Sequence, residues 1–476
     1  MDANIFDYIF SPRGVAIIGA SPHDLATLAH LKTKIRERLF LVNPKYKQIL
    51  GRPCYPSAFH IPAIVDYAII GVGAERVPEV IEDCIKKEIK VAQIFTAGFS
   101  ETGLPERIAL EERLKDMARG RIRLIGPNCF GVYCPRSGLT IVPEAPEEEG
   151  HVGVLAQSGS VTESFSYFAR TKGLKFSKMV SYGNAADLDG ADFLEYMAYD
   201  PDTHIIAFYI EGTKNGMKLK SALKKAAQKK PVIAIKGGLT DQGMRAAQSH
   251  TASMGSSPAL WQSLFKQLGV IQVENFDEMV NTVCAFSNSR VPAGRAIAII
   301  SNSGGFSVIQ TDMCARLGLE VPRFPESTLK SLRKLVPTAG TSIGNPLDAW
   351  PIFYNVGEKD NISDVIKTCG AASNIHALVF HFDQFRYLRR VLGQGIKSHM
   401  ERLTDLIIAG CLHVREVEGK PVMAAVSLDP FLEDAEDREN NLMLKRRFQA
   451  SGFPVFSSLE GAVKAVSNLS RFKGRD

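Results

Sequence analysis

"VGVLAQSGSVTESF" at residues 152–165 and "IAIISNSGGFSVIQ" at residues 297–310 follow one pattern. Each opens on an apolar, β-branched run, passes a polar residue into Ser-Gly and a small residue, and continues with helical spacing. The agreement extends outward: Gly173-Leu174 stands fifteen positions after Ser158, and Gly318-Leu319 fifteen after Ser303. Each copy later carries a Gly-Asn with an Asp three past the Asn, as Gly183-Asn184 with Asp187 and Gly344-Asn345 with Asp348. A strand–turn–helix unit met twice is an internal repeat. It predicts two related α/β domains, 150–290 and 293–470, divided at "SNSRVPAGR" (287–295).

The stretch ahead of the repeat alternates short buried runs with amphipathic segments, the texture of βαβ units on a parallel sheet. Strands are expected at 14–20, 38–44, 65–72, 91–99 and 121–128, with helices at 77–88 and 105–118. That makes a first domain over 1–145, ending in the Pro/Glu-rich "VPEAPEEEG" (142–150), read as a linker.

Composition narrows the class. A chain of 476 residues with 45% hydrophobic and 23% charged residues reads as an ordinary soluble globular protein of about three domains. A net charge of +6, spread along the whole length, argues against nucleic acid. The eight cysteines form no CxxC or CxxH pair, so reduced thiols in a cytoplasmic protein are expected rather than a disulfide framework or zinc site. No apolar run reaches membrane-spanning length, and the acidic start "MDANIFDYIF" lacks the basic region of a signal peptide. Neither HxxxH nor HExxH occurs, so no metal site is expected.

The repeated turns carry the first chemical reading. A strand leading through Ser-Gly into a helix aims free N–H groups and the positive helix end at one point, a ready anion site. Ser158, Gly159 and Ser160 form one such turn, and Ser303, Gly304 and Gly305 the other. Simple N-capping by the two serines explains a single copy equally well; two copies favour a paired clamp. No GxxxxGK[ST] occurs, so no P-loop is present. In the first domain "IIGAS" (17–21) makes a strand-to-helix glycine turn without the GxGxxG fingerprint. The next strand ends in "VNPK" (42–45), where Lys45 either meets a phosphate-bearing adenosine ligand or is solvated. His250, in "QSHTASMGSS" (248–257), stands on a Gly/Ser-rich segment read as flexible, where its ring nitrogen could meet a mobile electrophile or do nothing. Glu211 ends a buried run and could hold one ring N–H.

In combination and in this order, "GVAIIGAS", "VNPK", "AGFSETG", "RLIGPNCFGV", "GVLAQSGS", "SYGNAADLDGADFLEYMAYDP", "SHTAS", "SNSGG" and "GNPLD" resemble the α subunit of the NDP-forming acyl-CoA synthetases. These form the ADP-forming acetyl-CoA synthetase branch of the succinyl-CoA synthetase superfamily, and the resemblance covers nearly the whole chain. It implies a Rossmann-like CoA-binding domain followed by two flavodoxin-like domains. It also implies a ligase interconverting acyl-CoA, phosphate and ADP with free acid, CoA and ATP through an acyl phosphate and a phosphohistidine. On that resemblance His250 is the phosphorylated residue and Glu211 orients it; the turns at Ser158–Ser160 and Ser303–Gly305 hold the phosphoryl group. Gly19, Ala20, Ser21, Asn43, Pro44, Lys45, Gly71, Val72, Gly73, Thr96, Ala97, Gly98 and Asn128 line the CoA site. Around the histidine the family is rich in glycine, whereas Ala252 and Ser256 stand here at two of those positions. The nucleotide-binding ATP-grasp module that the family needs has no counterpart in this sequence. ATP or ADP and magnesium are therefore expected on a separate β subunit, in a heteromer such as α2β2. The rival reading is a CoA- or acyl-CoA-binding regulatory protein of the same fold with weakened ligase chemistry.

Overall fold

The computed structural model describes residues 4–140, 146–251, 257–301, 304–337, 341–353, 361–383, 388, 390, 396–427 and 435–472, with the backbone alone at 169, 247–251, 304, 306 and 436. Contacts divide the chain into two compact units, one running to Glu274 and the other starting at Asn275.

The first unit contains two sheets. One is built from β1 (Val15–Ile18), β2 (Leu39–Val42), β3 (Gln48–Ile49), β4 (Arg52–Tyr55), β5 (Tyr67–Ile70), β6 (Val91–Ile94) and β7 (Arg123–Ile125), in the order β3-β4-β2-β1-β5-β6-β7. All its pairs are parallel except β3 with β4. Every residue of β1, β5 and β6 is buried, which is why β1 and β5 read as unbroken apolar runs and β6 is broken only by Gln93, whose side chain bonds Tyr67 and Phe130: a parallel sheet is covered on both faces. The five expected strands are present, each shorter than its apolar run, and the helices Val77–Lys86 and Pro105–Ala118 lie where expected. Strand order reverses between β1 and β5, and such a switch point leaves a crevice outside the carboxyl ends of the strands.

The second sheet comprises β8 (Gly131–Tyr133), β9 (Glu149–Ala156), β10 (Phe176–Ser181), β11 (Ile205–Ile210), β12 (Val232–Lys236) and β13 (Ile271–Gln272), ordered β13-β12-β11-β9-β10-β8 with β8 antiparallel at the edge. Glu149 and Gly150, expected in a linker, instead open β9; residues 141–145 lie outside the described residues. A single core joins the two sheets, running from Ile9, Phe10, Tyr67 and Ile125 to Tyr182, Phe193 and Phe208.

The second unit has one sheet, β14 (Ile297–Ser301), β15 (Leu347–Asp348), β16 (Ala377–Phe382), β17 (Val422–Val426) and β18 (Val455–Phe456), ordered β15-β14-β16-β17-β18. The helix Phe276–Asn288 falls in this compact unit. Asn468 of the helix Leu459–Arg471 donates from its Nδ2 to Glu278 and Thr282, both at 3.0 Å, and Ala285 joins the core of Ile297, Ile299 and Val463. The repeat is structural: β10-β9-β11-β12-β13 and β15-β14-β16-β17-β18 have one topology. The Gly-Asn pairs do not correspond, however, since Gly183-Asn184 follows β10 whereas Gly344-Asn345 precedes β15. All eight cysteines are buried and unbonded. Among the described residues no helix is long and apolar enough to cross a membrane.

Candidate functional site

At the carboxyl end of β9 the chain turns through Gln157-Ser158 into the helix Gly159–Lys172. Ser158 is buried, with its Oγ 3.0 Å from that of the exposed Ser160. Gly159 packs closely on Phe130: a Cβ there would lie 3.0 Å from the ring, which would have to shift slightly to admit it. Gln157 fastens the turn to the next strand: its Oε1 accepts from the N–H groups of Glu211 (2.9 Å) and Gly212 (3.1 Å). Glu211 is 8% exposed at the end of β11, and the Tyr209 hydroxyl donates to its Oε1 at 3.0 Å. Lys236, ending β12, donates to the Glu211 carbonyl at 2.7 Å and to that of Gly237, and its ammonium lies 5.1 Å from the centre of the Trp261 ring. Burial pulls the Lys236 ammonium below its usual pKa, and the charge of Glu211 opposes this. A carboxylate at a strand terminus is thus present as expected.

The segment carrying His250 differs from expectation. Its backbone lies in the last turn of the helix Asp241–Thr251, not in a flexible loop. "MRAAQ" (244–248) is rich in helix formers, and they outweigh the small residues that follow. The His250 side chain, and Ala252 and Ser256, lie outside the described residues. The helix packs against the short turn Ser100–Thr102.

That turn borders a cavity of about 450 Å³. Gln157, Gly212, Thr213 and Lys214 line it on one side, Ser100, Glu111 and Asn184 on another, and Tyr182, Ala191, Ile210 and Leu219 supply less polar wall. Glu111 is 2% exposed and fully engaged: it accepts from the Ser100 hydroxyl (2.6 Å), Asn184 Nδ2 (2.9 Å) and Lys214 (3.5 Å). Of these lining residues the sequence singled out only Asn184, as part of the repeated Gly-Asn motif, and none as a site residue. Glu111 was findable, because it stands three and seven positions before the buried Leu114 and Ala118, on the inward stripe of its helix.

A second cavity of about 140 Å³ opens at the switch point between β1 and β5. Of the thirteen residues expected at the CoA site, Gly19 and Gly71 line it. Gly19 sits at φ +94°, and a Cβ on it would lie 2.4 Å from the Gly71 carbonyl oxygen, so this close approach of two strand ends demands glycine. Gly71 itself faces open space, since a Cβ there would meet only the Ile18 carbonyl at 3.9 Å. The others surround the strand ends without lining the cavity. The N–H groups of Gly19 and Ala20 donate to the Val42 carbonyl, and Ser21 N–H donates to Asp24 at 2.7 Å. Asn43 Nδ2 donates to the Ala20 carbonyl (2.8 Å), and the Thr96 hydroxyl to that of Val72 (2.7 Å). Gly73 opens a short helical turn, and Asn128 N–H donates to the Thr96 carbonyl at 2.9 Å. Gly98 N–H donates to Glu101. Pro44, Lys45 and Ala97 are exposed. Residues not anticipated supply the walls: Phe95 and Phe130, stacked at 5.6 Å, and the buried His30. His30 Nδ1 lies 2.7 Å from the Ala26 carbonyl and its Nε2 accepts from Thr140 N–H at 3.3 Å, which together select the neutral ring protonated on Nδ1. Burial depresses its pKa accordingly.

In the second unit Gly304 and Gly305 open the helix Gly304–Arg316, with Gly305 exposed; Ser303 lies outside the described residues.

Comparison with known proteins agrees with this arrangement. Residues 13–135 match a family described as a CoA binding domain, and residues 149–286 one described as a succinyl-CoA ligase like flavodoxin domain. An ADP-forming acetate–CoA ligase of Methanocaldococcus jannaschii is 40% identical over 348 residues, covering 72% of this chain and 48% of that protein. The α subunit of ADP-forming acetate–CoA ligase I of Pyrococcus furiosus is 31% identical over 476 residues, covering 98% and 97%. A solved structure, the dinucleotide-forming acetyl-coenzyme A synthetase 1 of Ca. Korarchaeum cryptofilum in complex with phosphate and ADP, superposes with a TM-score of 0.82 at 27% identity, over 98% of this chain and 96% of that one. The chain spans about half the length of some of the curated relatives it matches and nearly all of an α subunit. With two α/β domain types in series and a relative matched from end to end, this chain belongs to the family of the ADP-forming acetate–CoA ligases.

Proposed function

We propose that the chain is the CoA-binding, phosphoryl-carrying α subunit of an acid–CoA ligase that interconverts acyl-CoA, phosphate and ADP with free acid, CoA and ATP. The observation that carries this reading is the buried Glu211 carboxylate, held by Tyr209 beside the Gln157–Ser160 turn where a helix begins. In the direction of ATP formation, phosphate attacks the thioester carbonyl, the CoA thiolate leaves, and an acyl phosphate forms. His250 then takes the phosphoryl group through one ring nitrogen, releasing the carboxylate, while Glu211 holds the proton on the other. The N–H groups at Ser158–Ser160, at the start of the helix Gly159–Lys172, offset the phosphoryl charge. Finally the phosphoryl group passes to ADP.

CoA fits the crevice at the ends of β1 and β5, where Gly19 and Gly71 bring backbone close and Gly71 leaves open space. Lys45, exposed at the rim after β2, reaches the adenosine phosphates from solvent, with Asn43, Thr96 and Asn128 holding the strand ends around them. ADP and magnesium bind an ATP-grasp β subunit, and the complex is a heteromer working in the cytoplasm; two relatives bearing the name subunit α support a partner chain.

The test is transfer of radiolabel from ATP, in the presence of the β chain, or from phosphate with acyl-CoA. Acid-labile, base-stable label is expected on the wild-type chain, lost in His250→Gln and slowed at least a hundredfold in Glu211→Gln, with CoA binding unchanged in both. Absence of label from the wild type, with CoA binding retained, would select the regulatory alternative.

A further inference from the structure

The cavity of about 450 Å³ beside Gln157 and Gly212 has more room than a two-carbon acyl group needs, lying within the roughly 300–1,000 Å³ range of small-molecule sites. Its carboxylates are already committed. Glu111 is held by Ser100, Asn184 and Lys214, and Glu112 pairs with Lys115 at 2.8 Å. Asp189 caps the helix Gly190–Tyr199, accepting from Ala191 N–H at 2.9 Å, and pairs with Lys218 at 3.1 Å.

One donor in the cavity wall is not committed. Tyr182 is 2% exposed and its hydroxyl has no hydrogen-bond partner among the described residues. In the first unit only Thr27 shares that condition among the described residues, and Thr27 does not line this cavity. A buried hydroxyl left unpaired is costly, so each instance calls for an occupant. The phenol is wedged in place: a Cβ on Gly190 would lie 2.9 Å from its oxygen and 3.3 Å from Phe208. Burial, with Asp189, Glu211 and Tyr209 nearby, pushes its pKa well above the ordinary tyrosine value, so it remains a donor. Around it Ala191, Ile210 and Leu219 give apolar wall, and Ile108, 41% exposed, stands at the mouth.

We infer that this cavity receives the acyl group of the acid, that it is sized for a branched or aryl acid in preference to acetate, and that Tyr182 donates a hydrogen bond to an oxygen of that group. The inference rests on the ligase reading and deepens it by naming the acid class.

Calorimetric titration of the full chain with CoA, acetyl-CoA, isovaleryl-CoA and phenylacetyl-CoA tests it. The wild type should bind one of the two larger thioesters at least tenfold tighter than acetyl-CoA. Tyr182→Phe should lose about tenfold on that thioester and nothing on CoA, and Ile108→Trp, a substitution at an exposed site, should erase the preference for size. Equal affinity for all three thioesters, or a preference that neither variant alters, overturns the inference even if His250 takes up label. Conversely, a Tyr182-dependent preference in a chain that never takes up label upholds the cavity assignment and removes the ligase reading.

Discussion

The two flavodoxin-like sheets share a strand order but differ in what their Gly-Asn motifs hold. In the first, Asp187 accepts two hydrogen bonds from Arg123 of β7, at 2.7 and 2.9 Å, and a third from Leu124 N–H at 2.9 Å. Asn184 beside it reaches Glu111, a residue of the CoA-binding domain. The neighbouring domain thus supplies the partners for the motif. In the second sheet the like-spelled motif stands elsewhere, ahead of β15, and stays within its own unit: Asn345 accepts from Ile299 N–H (3.0 Å) and donates to the Ile297 carbonyl (2.8 Å). Asp348 leaves Oδ1 without a partner among the described residues, and burial raises its pKa. The difference teaches that a repeat preserves backbone topology while the chemistry of each copy is set by whatever packs on it.

Exchanging the two aspartates gives the largest expected effect. Asp187→Asn should destabilise the first unit by about 1.5–3 kcal/mol, the range for hydrogen bonds to charged groups. Asp348→Asn should be neutral or stabilising at pH 7. A carboxyl whose folded pKa is raised disfavours the folded state once pH exceeds its unfolded value near 4, and the amide removes that cost. Urea unfolding at pH 7 measures both, and equal losses would break the comparison.

The two helix starts offer a smaller contrast. Gly159→Ala presses on Phe130, which stacks on Phe95 in the cavity proposed to take CoA, so CoA affinity should fall severalfold. Gly305→Ala meets open space and should leave CoA affinity unchanged, while gaining up to about 1 kcal/mol in helix propensity. Calorimetry of the two variants decides between these outcomes.

The smallest effect is a pH dependence confined to the first unit. His30 is buried with a depressed pKa, so below about pH 6.5 the unfolded chain takes the proton more readily and stability falls as pH drops. His30→Gln should flatten thermal unfolding between pH 6.5 and 5 relative to wild type, and an unaltered slope would clear His30 of the effect.

Local pattern alone determined a good deal. Apolar runs such as "VDYAIIGV" and "IAIIS" fixed strands because burial on both faces of a parallel sheet leaves no polar alternation, and Ser-Gly after such a run fixed the two helix starts. Glu211 at a strand end was legible for the same reason. Tertiary packing decided the rest. The helix Phe276–Asn288 carries no mark of which neighbour it will choose, and the bonds from Asn468 assign it to the second unit. The His250 segment looked like a loop by composition, yet its backbone closes a helix that packs on a turn about 150 residues earlier. The walls of both cavities come from Phe130, His30, Tyr182 and Glu111, residues far apart in the chain. A cavity is made where separate elements fail to fill the space between them, and no local run of residues encodes that shortfall.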